Sequence, residues 1–178
     1  FKHRCRFDMK YIGNFKEWIK QEWIDELIMS KGMARFKEGP QPDSPIMQEQ
    51  WDKAVKAGYN LETEYFYMFD KNNVSFEINP PWCKDKNFHW WITKMLPGNC
   101  MPIHTDPHTV YESNSQRYWV PLQDYQNGHW FVYNDVVITD YTAGDVYQYD
   151  DSRDPHGAIN VGITPRLVLQ VSTHERMD

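Results

Sequence analysis

Apolar positions in the first third of the chain recur at helical spacing. Ile12, Phe15, Ile19, Trp23 and Leu27 fall three or four residues apart, Asn14 stands where an N-cap would with Glu17 three residues on, and Gly32 follows the run. This pattern predicts one amphipathic helix over residues 12–31. A second, shorter helix is predicted over 45–57, where Ser44-Pro45 supplies an N-cap and a first-turn proline and Gly58 stands at the stop. Between them, Gly39-Pro40-Gln41-Pro42 reads as a loop.

From residue 60 onward the period changes. Short aromatic and β-branched runs are punctuated by Asn72-Asn73, Asn79-Pro80-Pro81, Asn127-Gly128 and Asn134-Asp135. They predict strands over 63–69, 74–78, 88–95, 102–105, 116–122, 129–133, 135–140, 145–149, 157–161 and 166–172. Asn127-Gly128, between Val120-Pro121-Leu122 and Trp130-Phe131-Val132-Tyr133, is the clearest hairpin signal, and the turn at Asn134-Asp135 extends it into a meander. The strand spacing is that of a sandwich or barrel. The expected organisation is a single domain over 1–178, mainly β, with a helical N-terminal cap over 1–59 buttressing a β core over 60–178.

Composition narrows the function. The chain has 178 residues, with 19 Lys and Arg against 25 Asp and Glu, a net charge of −6. That balance argues against a surface built to follow nucleic-acid phosphates. Cys5, Cys83 and Cys100 are odd in number and form no CxxC or CxxH pattern, so neither a disulfide framework nor a zinc knuckle is indicated, and an intracellular, soluble, cytoplasmic location is expected. The longest apolar run, Tyr65-Phe66-Tyr67-Met68-Phe69, is far short of the roughly 18 residues of a membrane span. The abundant aromatics, among them Trp90, Trp91, Trp119, Trp130, Tyr133, Tyr147 and Tyr149 on strand segments, read mainly as core, with some available to line a pocket.

The candidate chemistry begins at His104-Thr105-Asp106. On extended backbone, residues i and i+2 point to the same side, so the imidazole of His104 and the carboxylate of Asp106 can converge. Two histidines and one carboxylate form the facial triad that leaves open positions on Fe(II). His156, fifty residues downstream in Asp154-Pro155-His156-Gly157, supplies the second histidine. Arg166 follows within the apolar strand Arg166-Leu167-Val168-Leu169-Gln170-Val171, where a guanidinium is costly unless an anion pairs it. A lone His-x-Asp is expected by chance about 0.6 times in such a chain, and the added His and Arg reduce that to about 0.06. His89, His108, His129 and His174 read as ordinary polar or half-buried residues, and Tyr111-Glu112-Ser113-Asn114-Ser115 as a lid or a surface loop.

Over residues 88–172 these features resemble the Fe(II)/2-oxoglutarate-dependent dioxygenases, nearest in flavour to the aspartyl/asparaginyl and prolyl-hydroxylase-like branches. The matching positions are His104-Thr105-Asp106, Val120-Pro121-Leu122, Gly144-Asp145, His156 with Asn160, and Arg166. The resemblance implies a double-stranded β-helix, or jelly roll. It also implies Fe(II) on His104, Asp106 and His156, with O2 and 2-oxoglutarate as cosubstrates and the distal carboxylate of 2-oxoglutarate on Arg166. Arg117 matches a position from which some members contact the cosubstrate. The hydroxyl that often follows the arginine by two residues is replaced by Val168, and Tyr118 is one candidate to stand in.

A carboxylate at position 106 disfavours halogenation, whose enzymes have a small residue there, and favours hydroxylation of a small molecule or peptidyl side chain with release of succinate and CO2. The alternative is a cupin-like metal- or carboxylate-binding or sensor protein without turnover. A metal hydrolase or isomerase on the same fold would not need the arginine. A monomer or homodimer is expected.

Overall fold

The computed structural model describes residues 9–34, 45–58, 66–84, 86–105, 116–149 and 154–174. In chain order the elements are β1 (Lys10–Asn14), α1 (Gln21–Met29), β2 (Met33–Ala34), α2 (Pro45–Lys56) and β3 (Tyr67–Phe69). Then come β4 (Asn87–Met95), β5 (Cys100–His104), β6 (Gln116–Pro121), β7 (His129–Tyr133), β8 (Val136–Ile138), β9 (Asp145–Tyr149), β10 (His156–Asn160) and β11 (Arg166–His174). One sheet has the order β1-β9-β6-β11-β4-β3-β2 and the other β5-β10-β7-β8. Every ladder is antiparallel.

From β4 to β11 the chain crosses repeatedly from one sheet to the other, with only β7 and β8 consecutive in one sheet. That is the winding of a double-stranded β-helix, as expected. The two sheets meet through aromatic side chains: Trp119 of β6 stacks on Phe131 of β7 at 4.7 Å and 9°. Trp119, Tyr149 and Val168 of the larger sheet share a core cluster with Phe131, Tyr133 and Ile138 of the smaller. The opposite face of the larger sheet, with Tyr118, Val120, Leu167, Leu169 and Val171, packs on Trp23, Ile24 and Leu27 of α1. No helix among the described residues is long and apolar enough to cross a membrane.

The first expected helix is corrected. Residues 12–31 split into β1, a short 3-10 turn at Lys16–Trp18, and α1. The cause is non-local. The Asn14 side chain, expected to cap a helix, donates to Asp145 Oδ1 at 2.8 Å and to the Ala143 carbonyl at 2.9 Å, while the Phe15 amide bonds the Gly144 carbonyl at 2.8 Å. These bonds stitch β1 onto β9 before the helix begins. The second helix occupies Pro45–Lys56, close to expectation.

Two β expectations are also corrected. Residues 74–78 join no ladder; the Ser75 amide bonds Glu26 Oε1 at 2.7 Å, and Phe76 stacks on Trp23 at 5.2 Å, so this segment docks on α1 instead. Asn127-Gly128 does turn the chain, but β6 and β7 lie in different sheets, so it makes a crossover and not a hairpin. Gly128 has φ +93°, and a Cβ there would sit 2.3 Å from the Gly162 nitrogen, so both backbone sign and space demand glycine. The Asn134-Asp135 hairpin between β7 and β8 is as expected, with both residues at positive φ.

Lys94 is the unexpected structural residue. It is 4% exposed on β4, and its Nζ donates to the Leu27 carbonyl at 2.8 Å, to Ile28 at 3.3 Å and to Ser30. It also lies 5.5 Å from the Tyr67 and Phe69 ring centroids. A cation on the last carbonyls of a helix satisfies acceptors that the helix itself leaves open. Burial lowers the Lys94 pKa, so removing the ammonium recovers some desolvation free energy. The loss of three charged hydrogen bonds outweighs that gain. Lys94→Met is expected to lower unfolding free energy by about 1–2 kcal/mol, measured by urea unfolding, with amide exchange accelerated first in Gln21–Met29.

Candidate active site

His104 ends β5 and His156 begins β10, and the antiparallel ladder places them opposite each other. Their ring centroids are 4.5 Å apart. Each ring is oriented the same way: His104 Nδ1 donates to the Pro102 carbonyl and His156 Nδ1 to the Asp154 carbonyl, both at 2.8 Å. A carbonyl can only accept, so Nδ1 carries a proton in each ring, which in the neutral imidazole leaves the lone pair on Nε2. Backbone carbonyls holding Nδ1–H in this way orient metal-ligating histidines.

Asp106, the third expected ligand, lies outside the described residues, as do His108 and residues 111–115. The backbone leading into it is held from α2. Gln50 Oε1 accepts from the Thr105 amide at 2.7 Å, and its Nε2 donates to the Thr105 carbonyl at 3.3 Å. The second helix therefore fixes the peptide between His104 and Asp106, a contact that no spacing in the sequence signals.

Arg166 opens β11 and is 4% exposed. Its guanidinium carbon stands 5.9 Å from the Trp119 ring centroid, and it lies close enough to the Tyr141 hydroxyl for each to shift the other's titration; that hydroxyl donates to the His129 carbonyl at 3.0 Å. Nε and Nη2 are buried with no hydrogen-bond partner among the described residues. Desolvation lowers its pKa. Burial likewise raises the pKa of Tyr141, with Arg166 opposing, so this hydroxyl stays protonated near neutrality. A strand arginine in an apolar run should have an anion, and no carboxylate of the described protein hydrogen-bonds it.

Rings continue from Arg166 to the histidines. Phe131, stacked on Trp119, lies 6.3 Å from Tyr133; Tyr133 lies 5.9 Å from Tyr149; Tyr149 lies 6.2 Å from His156. The guanidinium and the imidazole pair thus share one aromatic-lined interior.

Tyr118 is corrected as a cosubstrate contact. It faces the other side of the sheet, where its hydroxyl accepts from Lys86 Nζ at 3.2 Å and donates to Gln116 Oε1 at 3.0 Å. The hydroxyl on Arg166 belongs to Tyr141, in a loop with no spacing signature. Arg117 faces the barrel interior but pairs with Ser172 and Tyr149, far along β11 from Arg166. His89 is exposed and stacks on Trp91 at 5.5 Å. His129, expected to be ordinary, is 1% exposed and bonds the Thr164 carbonyl at 2.9 Å, close enough for Arg166 to affect its titration.

No family model and no curated protein matches the chain. Solved structures do. They are cupin and double-stranded β-helix proteins. A double-stranded β-helix protein from Klebsiella pneumoniae is 20% identical, covering 52% of this chain and 71% of its own, with a TM-score of 0.38. The Cupin_2 domain of an XRE family transcriptional regulator from Enterobacter cloacae is 14% identical, with coverages of 63% and 99% and a TM-score of 0.43. A predicted oxalate decarboxylase from Thermotoga maritima is 22% identical, with coverages of 48% and 65% and a TM-score of 0.37.

His129 gives the interior a pH signature. Burial lowers its pKa below the ordinary 6.5, with the Thr164 carbonyl opposing and Arg166 reinforcing. The unfolded chain therefore binds the proton more readily, so the stability attached to neutral His129 is full above the unfolded pKa and falls as pH drops towards the folded one. Urea unfolding at pH 7 and pH 5 should show a loss on acidification that is smaller in His129→Gln; an identical loss in both proteins would contradict the assignment.

Proposed function

We propose that the chain is an Fe(II)- and 2-oxoglutarate-dependent oxygenase that hydroxylates a small molecule or peptidyl side chain, releasing succinate and CO2. The observation that carries this reading is Arg166: a buried cation whose Nε and Nη2 have no partner among the described residues, in the same interior as two inward-facing imidazoles. A cupin-like protein that merely held a metal on histidines would have no need of it.

The donor set fits the metal. His104 and His156 offer Nε2 lone pairs from one end of the β5–β10 ladder, and Asp106 follows His104 by two residues; two imidazoles and a carboxylate suit Fe(II) with positions left open. When bound, iron would activate O2 and couple decarboxylation of 2-oxoglutarate to oxidation of a substrate C–H bond.

The chain's own residues do the rest. Arg166 offers two N–H-bearing nitrogens to the distal carboxylate, a planar fork matched to its two oxygens. The Tyr141 hydroxyl flanks that fork on one side and Trp119 bounds it on another. Phe131, Tyr133 and Tyr149 occupy the interior between the fork and the histidines and keep water from the reacting centre. Asn160 Nδ2 ties the Met95 and Thr164 carbonyls together at 2.8 Å each, fixing β10 against β4 and the loop before Arg166.

The test is anaerobic titration of metal-free protein with Fe(II) and 2-oxoglutarate, following the weak visible metal-to-ligand charge-transfer band. Wild type should form the band, and His104→Ala should abolish it. Arg166→Met should raise the half-saturating 2-oxoglutarate concentration by at least about thirtyfold, the cost of stripping one partner from a buried charge pair. A folded, iron-loaded protein that forms no band, or whose affinity ignores Arg166, would replace this reading with the binding protein that does not turn over.

A further inference from the structure

Gln50 does more than dock its helix. On α2, Glu49, Asp52, Lys53 and Lys56 are exposed, while Gln50 and Ala54, four residues apart and so on one face, turn towards the protein. From that face Gln50 reaches Thr105, the residue after His104. Its Oε1 accepts from the Thr105 amide at 2.7 Å and from the Thr105 hydroxyl at 3.4 Å. Its Nε2 donates to the Thr105 carbonyl at 3.3 Å and to the hydroxyl at 3.2 Å. One side-chain amide thus holds both backbone groups of a single residue. β5 lies at the edge of its sheet, with β10 on one side only, and a donor and acceptor of this kind are what a neighbouring strand would otherwise supply.

The Thr105 amide belongs to the peptide group shared with His104, and the Thr105 carbonyl to the peptide group shared with Asp106. Peptide groups are planar, so the only soft torsions between these two are φ and ψ of Thr105. Those angles decide whether an imidazole at 104 and a carboxylate at 106 converge on one point. A grip on the groups at both ends of that torsion pair sets them before any metal arrives, which removes part of the ordering cost of binding. Strand pairing cannot do this work. The ladder registers His104 opposite His156, with ring centroids 4.5 Å apart, and β5 ends at His104.

We propose that Gln50 is a positioning residue for the candidate metal centre, and that through it occupancy of the centre and docking of α2 are coupled. The proposal rests on reading His104 and Asp106 as metal ligands, but on no part of the 2-oxoglutarate assignment. Linkage makes the coupling reciprocal: if docked α2 holds the ligands ready, bound metal holds α2 in return by the same free energy.

The test titrates the full metal-free chain anaerobically with Co(II), whose visible d–d bands report coordination geometry. Wild type should bind saturably and His104→Ala should not. Gln50→Met keeps the length and helix propensity but offers Thr105 neither an N–H nor an oxygen. It should weaken Co(II) binding at least about tenfold, the usual cost of losing a group that orients a metal ligand, and it should move the bands. In wild type, Co(II) should slow amide exchange across Pro45–Lys56, and in Gln50→Met that slowing should disappear. Far-UV circular dichroism checks the variant's fold; if the fold is lost, exchange in wild type with and without Co(II) decides. Wild-type affinity in folded Gln50→Met, weakened binding with unmoved bands, or α2 exchange that ignores the metal overturns the proposal. Wild type that binds no Co(II) overturns it together with the metal reading. Co(II) binding that depends on Gln50, without a charge-transfer band, removes 2-oxoglutarate and keeps the clamp; a band alongside Co(II) affinity indifferent to Gln50 does the reverse.

Discussion

The interior of this protein depends on the register of β11. That strand is paired along Arg166–His174 with β4 on one side and over Val168–Thr173 with β6 on the other. Its alternation sends Val168 and Gln170 into the barrel with Arg166 and Ser172, while Leu167, Leu169 and Val171 meet the face under α1. A slip of one residue would exchange the two sets and put a guanidinium under the helix. The apolar residues thus do two jobs: they glue the helix to the sheet, and by doing so they fix which polar groups enter the barrel. Leu169 and Val171, fully buried, determine the placement of Arg166 and Ser172 as firmly as any contact those residues make.

The helices outside the barrel are tied to the candidate site through polar contacts as well as apolar ones. Lys94 anchors α1 by its terminal carbonyls, on the strand whose inward neighbours Thr93 and Met95 line the interior. Gln50 of α2 grips the peptide of Thr105, beside His104. Both links are hydrogen bonds to backbone, which fix position more narrowly than packing does. A candidate site built at the end of a strand needs such support, since small displacements of a functional group undo its geometry.

What the sequence made legible follows the same division between local and non-local causes. Arg166 stood out because a guanidinium is out of place in an apolar strand, and His104 because His-x-Asp puts two ligand types on one side of extended backbone; both signals are local, and His156 was singled out by its place downstream of them. Helix 45–57 was legible for the same reason, with its proline start and glycine stop. Residues 12–31 misled because β1 is defined by Asn14 reaching Asp145, which no local period records. Asn127-Gly128 turned the chain as expected, but whether the flanking strands then pair is decided by the opposite sheet. Tyr118 and Tyr141 show the limit most clearly. Both are buried tyrosines, and only the face each occupies separates the one that touches Arg166 from the one held by Lys86 and Gln116.

A net charge of −6 looks ill-suited to the proposed uptake of a dianion, yet the conflict is only apparent. Exposed charges are screened over about 8–10 Å at ordinary ionic strength, so the sum over the surface says little about the field inside a barrel. Inside, the sign is set by what is buried. Arg166 and Arg117 lie on the inner face, and His129 is held neutral by burial beside Arg166. The buried carboxylate of Asp145 is bonded by Asn14 and Tyr11 of β1 and by the Thr142 amide in the loop before β9. Asp154, near the histidines, accepts from the Tyr133 hydroxyl. These two acids are therefore engaged away from Arg166, and the low-dielectric aromatic walls strengthen whatever attraction that guanidinium exerts. An acidic exterior around a buried guanidinium disfavours nonspecific association with anionic polymers, and under the proposed function it leaves the inner site to small anions that fit within it.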